Sequence, residues 1–400
     1  MADGSVSMPC GRRDFTPRSV LRASLGSDSD RLSSVVKDCG KKLSGLEPFV
    51  DVDEAKRLAE EVERMRYLRE MAREKKEDNL QQMLEDTVLD FDPKQGGEYY
   101  TRFTFADLTK FDLDEESPLG PMRFTDAVYK NKDDYELCEG INFFSVRITT
   151  SDVGFPINVY GTVIARDSLD KRCVYLFSRE RDQCQHINSE DESLILTGPK
   201  RGLALIGPNY VEIDLKIKDH QGQDKELSKG MLSINGIERR RLKQCVLESD
   251  NLATRLSTVD VLYGVVKDAV EGTIAIEVLQ GDFNGKITAQ TTSILNTIVL
   301  YDSQVAGGMT GDGTGAIKLL RSIVSVYVKD KLIIVAETSD GKFKQTIDFT
   351  PKINGREEDI ITIGVTKIDF TPKINGREEE VMTIGVTKMR VKVAWSIMDF

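Results

Sequence analysis

The chain has 400 residues, of which 40% are apolar, and a formal net charge of −11. This apolar content supports a substantial core and excludes a wholly disordered chain, while the negative charge repels phosphate backbones, so general nucleic-acid binding is not expected. No stretch reaches the roughly 18 consecutive apolar residues of a membrane-spanning helix, so we expect a soluble protein without a membrane segment.

Residues 1–48 are predicted to form a disordered tail rich in serine and arginine. They contain nine serines and no sustained periodicity. The composition resembles that of organellar transit peptides, but acidic residues such as Asp3, Asp14, Asp28 and Asp30 dilute the resemblance. The six cysteines of the chain are widely spaced without a C-x-x-C pair, and there is no glycosylation sequon. We therefore expect reduced thiols and a cytoplasmic location, with the chloroplast and the nucleus as alternatives.

Residues 49–90 are predicted to form a long, charged amphipathic helix. This segment lacks glycine and proline, and its apolar residues recur at steps of three and four: Ala55, Leu58, Val62, Met65, Leu68 and Ala72. A helix of this length reaches about 60 Å, which is longer than one small domain covers, so it projects, folds back or pairs with a partner. Because its a and d positions are not uniformly apolar, we favour a helix that lies on the main domain over a lasting coiled coil.

Residues 91–138 are predicted to form an extended linker. Asp92-Pro93, Gly96-Gly97 and Gly120-Pro121 are typical of turns, which argues against regular secondary structure. The linker also contains aromatic side chains that need cover: Tyr99, Tyr100, Phe103, Phe105 and Phe111. An extended segment wrapped against the following domain satisfies both features.

Residues 139–400 are predicted to form a mainly β domain, because the apolar pattern changes to a period of two. In residues 210–218, Val211, Ile213, Leu215 and Ile217 face one way and charged residues face the other. Similar β-branched runs occupy residues 142–149, 157–165, 173–177, 259–266, 273–279, 285–291, 298–301, 323–328, 332–336 and 390–395. About a dozen short strands without helices between them predict an antiparallel β-sandwich or a barrel-like domain.

Residues 347–367 and 368–388 are tandem copies of one unit, identical at 18 of 21 positions. Each copy reads as a strand, a turn with proline and Asn-Gly, and a second strand, which is typical of a hairpin. Both copies carry side chains suited to the same position in a sheet, so we predict that one copy fills it and the other is extruded or added at an edge. We interpret the repeat as a recent in-frame duplication without a function of its own.

No catalytic, cofactor-binding or metal-binding residues are predicted. The only histidines are His186 and His220, and no spacing of histidine and cysteine matches a usual metal site, although Cys184 and His186 would share one face of a strand. The glycine-rich residues 307–315 are not followed by the Lys-Ser/Thr pair of a phosphate-binding loop.

Two basic clusters are possible interaction sites. Lys200 and Arg201 lie in a turn-like stretch whose cationic tip could contact an acidic partner. Arg239, Arg240 and Arg241 form the densest basic cluster, which we interpret as a solvated turn or helix, with a localisation or nucleic-acid patch as the alternative. We expect a protein partner to bind helix 51–89 or loops of the β domain.

Residues 154–185, 196–219 and 305–336 resemble an uncharacterised domain family that is expanded in grasses. The resemblance covers the chain from about Cys138 onwards, and the tandem copy departs from the single C-terminal hairpin of the family. Some grass proteins place such a domain beside a ribosome-inactivating RNA N-glycosidase domain. Glu54-Ala55-Lys56-Arg57 matches the Glu-Ala-x-Arg motif of that toxin family, but the residues before the β domain are too few for the toxin fold.

These observations predict a non-catalytic plant binding module with a β-rich domain, an unknown partner and a stress- or defence-related role. The alternative is an enzyme, or a regulatory relative of one, of the RNA N-glycosidase class. A glycosidase needs a carboxylate with an arginine in a pocket, whereas a binding module needs only an exposed apolar or charged patch.

Overall fold

The computed structural model describes residues 52–219, 222–240, 242–306, 309–310, 317–364 and 387–399. The predicted disordered tail, residues 1–48, lies outside the described residues. The chain divides into two compact units, Met1–Lys76 and Glu77–Phe400. None of the described helices is long and apolar enough to cross a membrane.

The long helix α1 spans Val52–Asp86, slightly shorter than the predicted residues 49–90. Its C-terminal end is fixed by Gln81, whose side chain donates to the Ala106 carbonyl at 3.1 Å and accepts from the Leu108 amide at 2.7 Å. The chain leaves the helix in a turn, where the Thr87 amide donates to the Leu84 carbonyl.

The rest of the described fold consists of strands and short helical turns. The short helices are α2 (Gly236–Arg239) and α3 (Ser303–Ala306), and three-residue 3₁₀ turns occupy Pro93–Gln95, Lys132–Asp134 and Arg181–Gln183. The strands are β1 (Leu89–Asp92), β2 (Gly97–Tyr100), β3 (Gly140–Ser151), β4 (Ile157–Arg166), β5 (Val174–Arg179), β6 (Gln185–Ile187), β7 (Leu203–Ala204), β8 (Pro208–Ile217), β9 (Lys225–Asn235), β10 (Val246–Thr254), β11 (Ser257–Val266), β12 (Ala269–Gln280), β13 (Asp282–Phe283), β14 (Gly285–Thr291), β15 (Ile298–Asp302), β16 (Met309–Thr310), β17 (Ile323–Tyr327), β18 (Leu332–Thr338), β19 (Lys344–Phe349), β20 (Gly355–Ile363) and β21 (Thr387–Ser396). The predicted fold class, mainly β and antiparallel with a preceding helix, is confirmed.

Strands β3–β11 form the first sandwich. One sheet has the order β10-β11-β3-β7, and the other has the order β5-β4-β8-β9 with β6 beside β4. Side chains from both sheets share one hydrophobic core. Val211, Ile213 and Leu215 of β8 and Val259 and Val261 of β11 are all buried in it. The period of two in the sequence therefore corresponds to the inward face of each strand.

Strands β12–β21 form the second sandwich, which has a separate core. Its sheets have the orders β17-β12-β21-β20 and β15-β14-β18-β19, and β13 pairs with β16 alone. Trp395 on β21 is fully buried in this core, and its Nε1 donates to Glu357 at 3.3 Å. The predicted β-rich region, residues 139–400, thus holds two sandwiches.

The two sandwiches meet across a small apolar cluster. Its buried members are Ala204, Val266, Ala269, Ile294 and Met398. A Cβ atom at Gly140 would lie 2.8 Å from Met398 Cε and 2.9 Å from Ala269 Cβ, so only glycine allows this close approach. The contact between the sandwiches is therefore tightly packed.

Residues 101–128 form a strap that runs over both sandwiches. On the first sandwich, the Phe103 amide donates to Glu212 at 2.8 Å. On the second, the Phe124 amide donates to Ser396 Oγ at 3.0 Å. The strap lacks regular secondary structure over most of its length, and its backbone groups obtain hydrogen-bond partners from the strands beneath.

Glu212 shows how the strap changes the outer face of β8. Glu212 lies on the face opposite the core side chains Val211 and Ile213, as the alternation predicts, but the strap covers it and leaves it only 4% exposed. Arg166 donates to its two oxygens at 2.6 and 2.9 Å, and Arg102 of the strap adds a bond at 3.2 Å. Burial alone would raise the pKa of Glu212, but the hydrogen bonds and charge of Arg166 outweigh it and hold the pKa below its ordinary value.

The first copy of the tandem repeat supplies β20 and the end of β19. In β20, Ile361 and Ile363 are buried in the second core, and the strand pairs with β21. Residues 365–386, which are the last three residues of the first copy and most of the second, lie outside the described part of the chain. The predicted extrusion or edge addition of the second copy therefore also falls outside it.

We predict that deletion of residues 368–388 leaves the fold intact. The deletion joins Lys367 to Met389, and Thr366-Lys367 has the same sequence as Thr387-Lys388 at the start of β21. The melting temperature, measured by calorimetry, should lie within about 4 °C of that of the full chain, since Thr366 takes the place of Thr387 and every other buried side chain of the described residues is kept.

The matched control is deletion of residues 347–367, which places the second copy in the same position. This exchange puts methionine in the place of the buried Ile361, a change of similar volume that costs less than about 1.5 kcal/mol. The control should therefore fold with slightly lower stability. Unfolding of the second sandwich after either deletion would show that both copies are required.

Candidate binding sites

The structure buries Arg201 and leaves Lys200 at the surface. Arg201 is 1% exposed, and its guanidinium donates to Asp167 at 2.6 and 2.9 Å and to Asp170 at 3.3 Å. Burial alone would lower the pKa of Arg201, but the hydrogen bonds and charge of Asp167 hold it above its ordinary value. Lys200 pairs at the surface with Glu116 at 2.7 Å. The charge of Arg201 is thus neutralised inside the protein and does not contribute to an exposed cationic tip.

The basic cluster after β9 is largely engaged with groups of the same chain. Arg239 pairs with Glu248. The exposed Arg240 donates from Nε to the Ile206 carbonyl at 3.0 Å. Arg241 lies outside the described residues. Both described arginines therefore bind groups of the same chain.

Cys173 and the described histidine each contact a different group. Cys173 is buried, its Sγ donates to the Leu113 carbonyl at 3.0 Å, and burial raises its pKa. His186 Nδ1 lies 3.0 Å from Asn158 Oδ1. In the part of the chain that the structure describes, no three His, Cys, Asp or Glu side chains are arranged to hold a metal ion. His220 and most of residues 307–315 fall outside that part.

A cavity of about 300 Å³ lies between the two sandwiches. The first sandwich contributes Phe144 and residues 193–196 to its wall. The second sandwich contributes Lys286, Val299, Asp302, Val305, Leu320 and Arg321. The wall is therefore mostly apolar, with a few charged groups on the side of the second sandwich.

Arg321 is the distinctive residue of this cavity. It is only 4% exposed, and its Nε and Nη2 atoms are buried without a hydrogen-bond partner in the described part of the chain. Burial lowers the pKa of Arg321 to about 10, so the guanidinium remains charged at neutral pH. An uncompensated buried charge costs several kcal/mol, because the charge loses its hydration without gaining a partner. The arrangement favours an anion in the cavity.

The other two charged groups of the cavity wall face each other. Lys286 Nζ lies 3.7 Å from Asp302 Oδ2, and Asp302 is the less exposed of the pair. Their charges offset each other, which leaves the single positive charge of Arg321 without a counterpart in the wall.

A second concave surface lies on the sheet β15-β14-β18-β19. It has a volume of about 720 Å³, and its lining includes Thr288, Gln290, Glu337 and Thr346. None of its lining side chains is buried without a hydrogen-bond partner. This surface therefore differs from the Arg321 cavity, whose wall contains a buried group without a hydrogen-bond partner among the described residues.

Helix α1 exposes a stripe of apolar side chains. Leu58, Val62, Met65 and Leu68 are 54%, 67%, 48% and 50% exposed, respectively. They recur at steps of three and four, so they lie on the same side of the helix. This side of the helix therefore exposes apolar side chains to solvent in the described chain.

Residues 140–393 match the family model of a domain of unknown function, DUF6598. The chain belongs to the DUF6598 family. The matched span begins with β3 and ends within β21, so the DUF6598 domain comprises both sandwiches, and α1 and the strap precede it. The predicted membership of an uncharacterised domain family is confirmed at this level.

Solved structures match the DUF6598 chain only distantly. The C2A and C2B domains of extended-synaptotagmin 2 match at 9% identity and a TM-score of 0.21, over 72% of this chain and 99% of that one. Human GIVD cytosolic phospholipase A2 matches at 10% identity and a TM-score of 0.21, over 64% of this chain and 30% of that one. No curated protein matches the chain.

Sequence reasoning missed the DUF6598 cavity and Arg321. Arg321 follows Lys318-Leu319-Leu320, and nothing in this stretch distinguishes it from a surface arginine. It lines a cavity together with residues 193–196 of the other sandwich, a proximity that the local pattern does not encode. By contrast, the apolar stripe of α1 was visible in the sequence.

We predict that substitutions of two adjacent basic residues of the DUF6598 domain lower the free energy of unfolding by very different amounts. Arg201→Met should lower the free energy of unfolding by about 3–5 kcal/mol, because it leaves Asp167 buried without its partner. Lys200→Met removes a surface ion pair and should cost no more than about 1 kcal/mol. Urea denaturation followed by circular dichroism measures both values. Equal effects would contradict the buried position of Arg201.

Proposed function

We propose that the chain is a non-catalytic binding module that pairs with a second copy of itself through α1. The exposed stripe of Leu58, Val62, Met65 and Leu68 carries this proposal. Removing apolar surface from water is favourable by about 25 cal/mol per Å², so a helix that covers the stripe stabilises the pair. The partner predicted for helix 51–89 is then another α1.

The distribution of charge along α1 favours antiparallel pairing. Residues 52–65 carry five acidic and three basic side chains, whereas residues 66–76 carry two acidic and five basic ones. Parallel copies would place like charge beside like charge. Antiparallel copies place the acidic half of one helix beside the basic half of the other, which is attractive.

The side-chain positions are compatible with this pairing. In an antiparallel alignment centred near residue 67, Glu61 of one copy approaches Lys75 of the other, and Val62 packs near Ala72. Arg69 interrupts the apolar seam, which extends over only about two and a half heptads. We therefore expect reversible association and not a permanent coiled coil.

We predict that the full-length chain dimerises reversibly and that Val62→Gln with Met65→Gln abolishes dimerisation. Glutamine keeps the helix propensity but removes the apolar surface of the stripe. Sedimentation velocity over a range of protein concentrations measures the association.

The matched control is Tyr67→Gln. This side chain is 60% exposed, similar to the 67% of Val62, but it lies on the opposite side of the helix from Leu58. The control should remain dimeric. A monomeric wild-type chain, or equal loss of dimer in the control and in the double variant, contradicts the proposal.

The orientation has its own test in a Leu58→Cys variant. Parallel copies bring the two side chains at position 58 together, whereas antiparallel copies place them far apart. Under mild oxidation the dimer should therefore form no disulfide between the two introduced cysteines, as mapped by mass spectrometry. A position-58 disulfide contradicts antiparallel pairing.

Two further features support a binding role over the N-glycosidase alternative. Glu212 beside Arg166 combines a carboxylate with an arginine, but both carboxylate oxygens already accept hydrogen bonds from Arg166, and Arg102 and Phe103 supply two more. In the toxin-like tetrapeptide, Arg57 is exposed on α1. Catalysis needs such groups free to meet a substrate in a pocket.

We also propose a cytoplasmic location and, from the grass-family resemblance, a stress- or defence-related role in a plant. Cys138, Cys173, Cys184 and Cys245 are free thiols, which fits a reducing compartment.

A further inference from the structure

We propose that the cavity between the sandwiches binds a small organic carboxylate, held by hydrogen bonds from Nε and Nη2 of Arg321. This site is independent of α1 and adds a ligand to the self-association proposed above. It lies within the DUF6598 domain, between the two sandwiches.

The geometry of the unpartnered atoms points to a two-oxygen anion. Nε and Nη2 form one edge of the planar guanidinium, and their N–H groups project from that edge side by side. A carboxylate presents two oxygens at a matching spacing, so it accepts both hydrogen bonds at once. Both atoms are buried, and neither has a hydrogen-bond partner among the residues that the structure describes.

The charge of the cavity wall favours a monoanion. Lys286 and Asp302 offset each other at 3.7 Å, so one carboxylate balances the one remaining charge, that of Arg321. A phosphate dianion would instead leave a negative charge among apolar side chains, which is unfavourable without further donors.

The remaining wall selects an apolar body for the ligand. Phe144, Leu194, Leu196, Val299 and Leu320 line the cavity. The volume of about 300 Å³ is small for a ligand pocket, so the ligand is compact. A carboxylate attached to one aromatic ring or a short aliphatic chain satisfies the charge, the shape and the polarity of the wall.

The test uses 4-fluorobenzoate as the probe, observed by fluorine NMR with the full-length chain. Unlabelled benzoate should displace the probe, whereas benzamide, its neutral counterpart, should bind at least about tenfold more weakly because it lacks the charge-assisted hydrogen bonds. Arg321→Met should weaken probe binding by at least about tenfold for the same reason.

The matched control is Arg356→Met, which removes a surface arginine of the same sandwich that pairs with Asp126. It should leave probe binding unchanged. Val299→Phe fills the cavity while keeping Arg321, so it should also abolish binding and provides a second test if Arg321→Met fails to fold. The Val62→Gln, Met65→Gln variant should bind the probe normally, which separates this inference from the role of α1.

Three results would overturn the inference. Probe binding that persists in both Arg321→Met and Val299→Phe would place the probe elsewhere. Displacement by inorganic phosphate as effective as by benzoate would contradict the selection of a carboxylate. The absence of any binding of 4-fluorobenzoate or benzoate to the wild-type chain would show that the cavity does not take this class of ligand.

Discussion

The side chain of Glu271 joins the three parts of the described β region. It lies on β12 of the second sandwich, and its oxygens accept hydrogen bonds from the Gly202 amide of the first sandwich at 2.5 Å and from the Met122 amide of the strap at 2.7 Å. Arg201, next to Gly202, is fixed in turn by Asp167. Since a buried carboxylate without these donors would be costly, the strap and both sandwiches are constrained to one arrangement.

The buried charged groups of this region differ in whether they have hydrogen-bond partners. The carboxylates of Glu212 and Asp167 each accept several hydrogen bonds, and these bonds hold the strap and the loop before β7 in place. Arg321 is also buried, but its Nε and Nη2 atoms have no partner among the described residues. A buried charge without a described partner, beside a cavity, is the observation on which the proposed ligand site rests.

Strands with apolar inward side chains could be predicted from the sequence. Strands whose inward side chains are not regularly apolar could not. Strands β8 and β11 follow the period of two, and both were expected. In β10, the buried residues are only Leu252 and Thr254, so the strand has no apolar alternation to detect. The division into two cores depends on which strands pair across long sequence distances, which a local period does not encode. The same limit explains why the apolar stripe of α1 could be predicted but the burial of Arg321 could not.

The position of the Arg321 cavity connects ligand binding to the contact between the sandwiches. Residues 193–196 belong to the first sandwich and Arg321 to the second, so an anion held there contacts both. A ligand that binds only the folded, closed arrangement stabilises it by mass action. The cost of burying the guanidinium is then offset only when the anion is present. Glu271 joins the two sandwiches whether or not the cavity is occupied. A ligand in the cavity raises the free energy of unfolding further, and this increase grows with the ligand concentration.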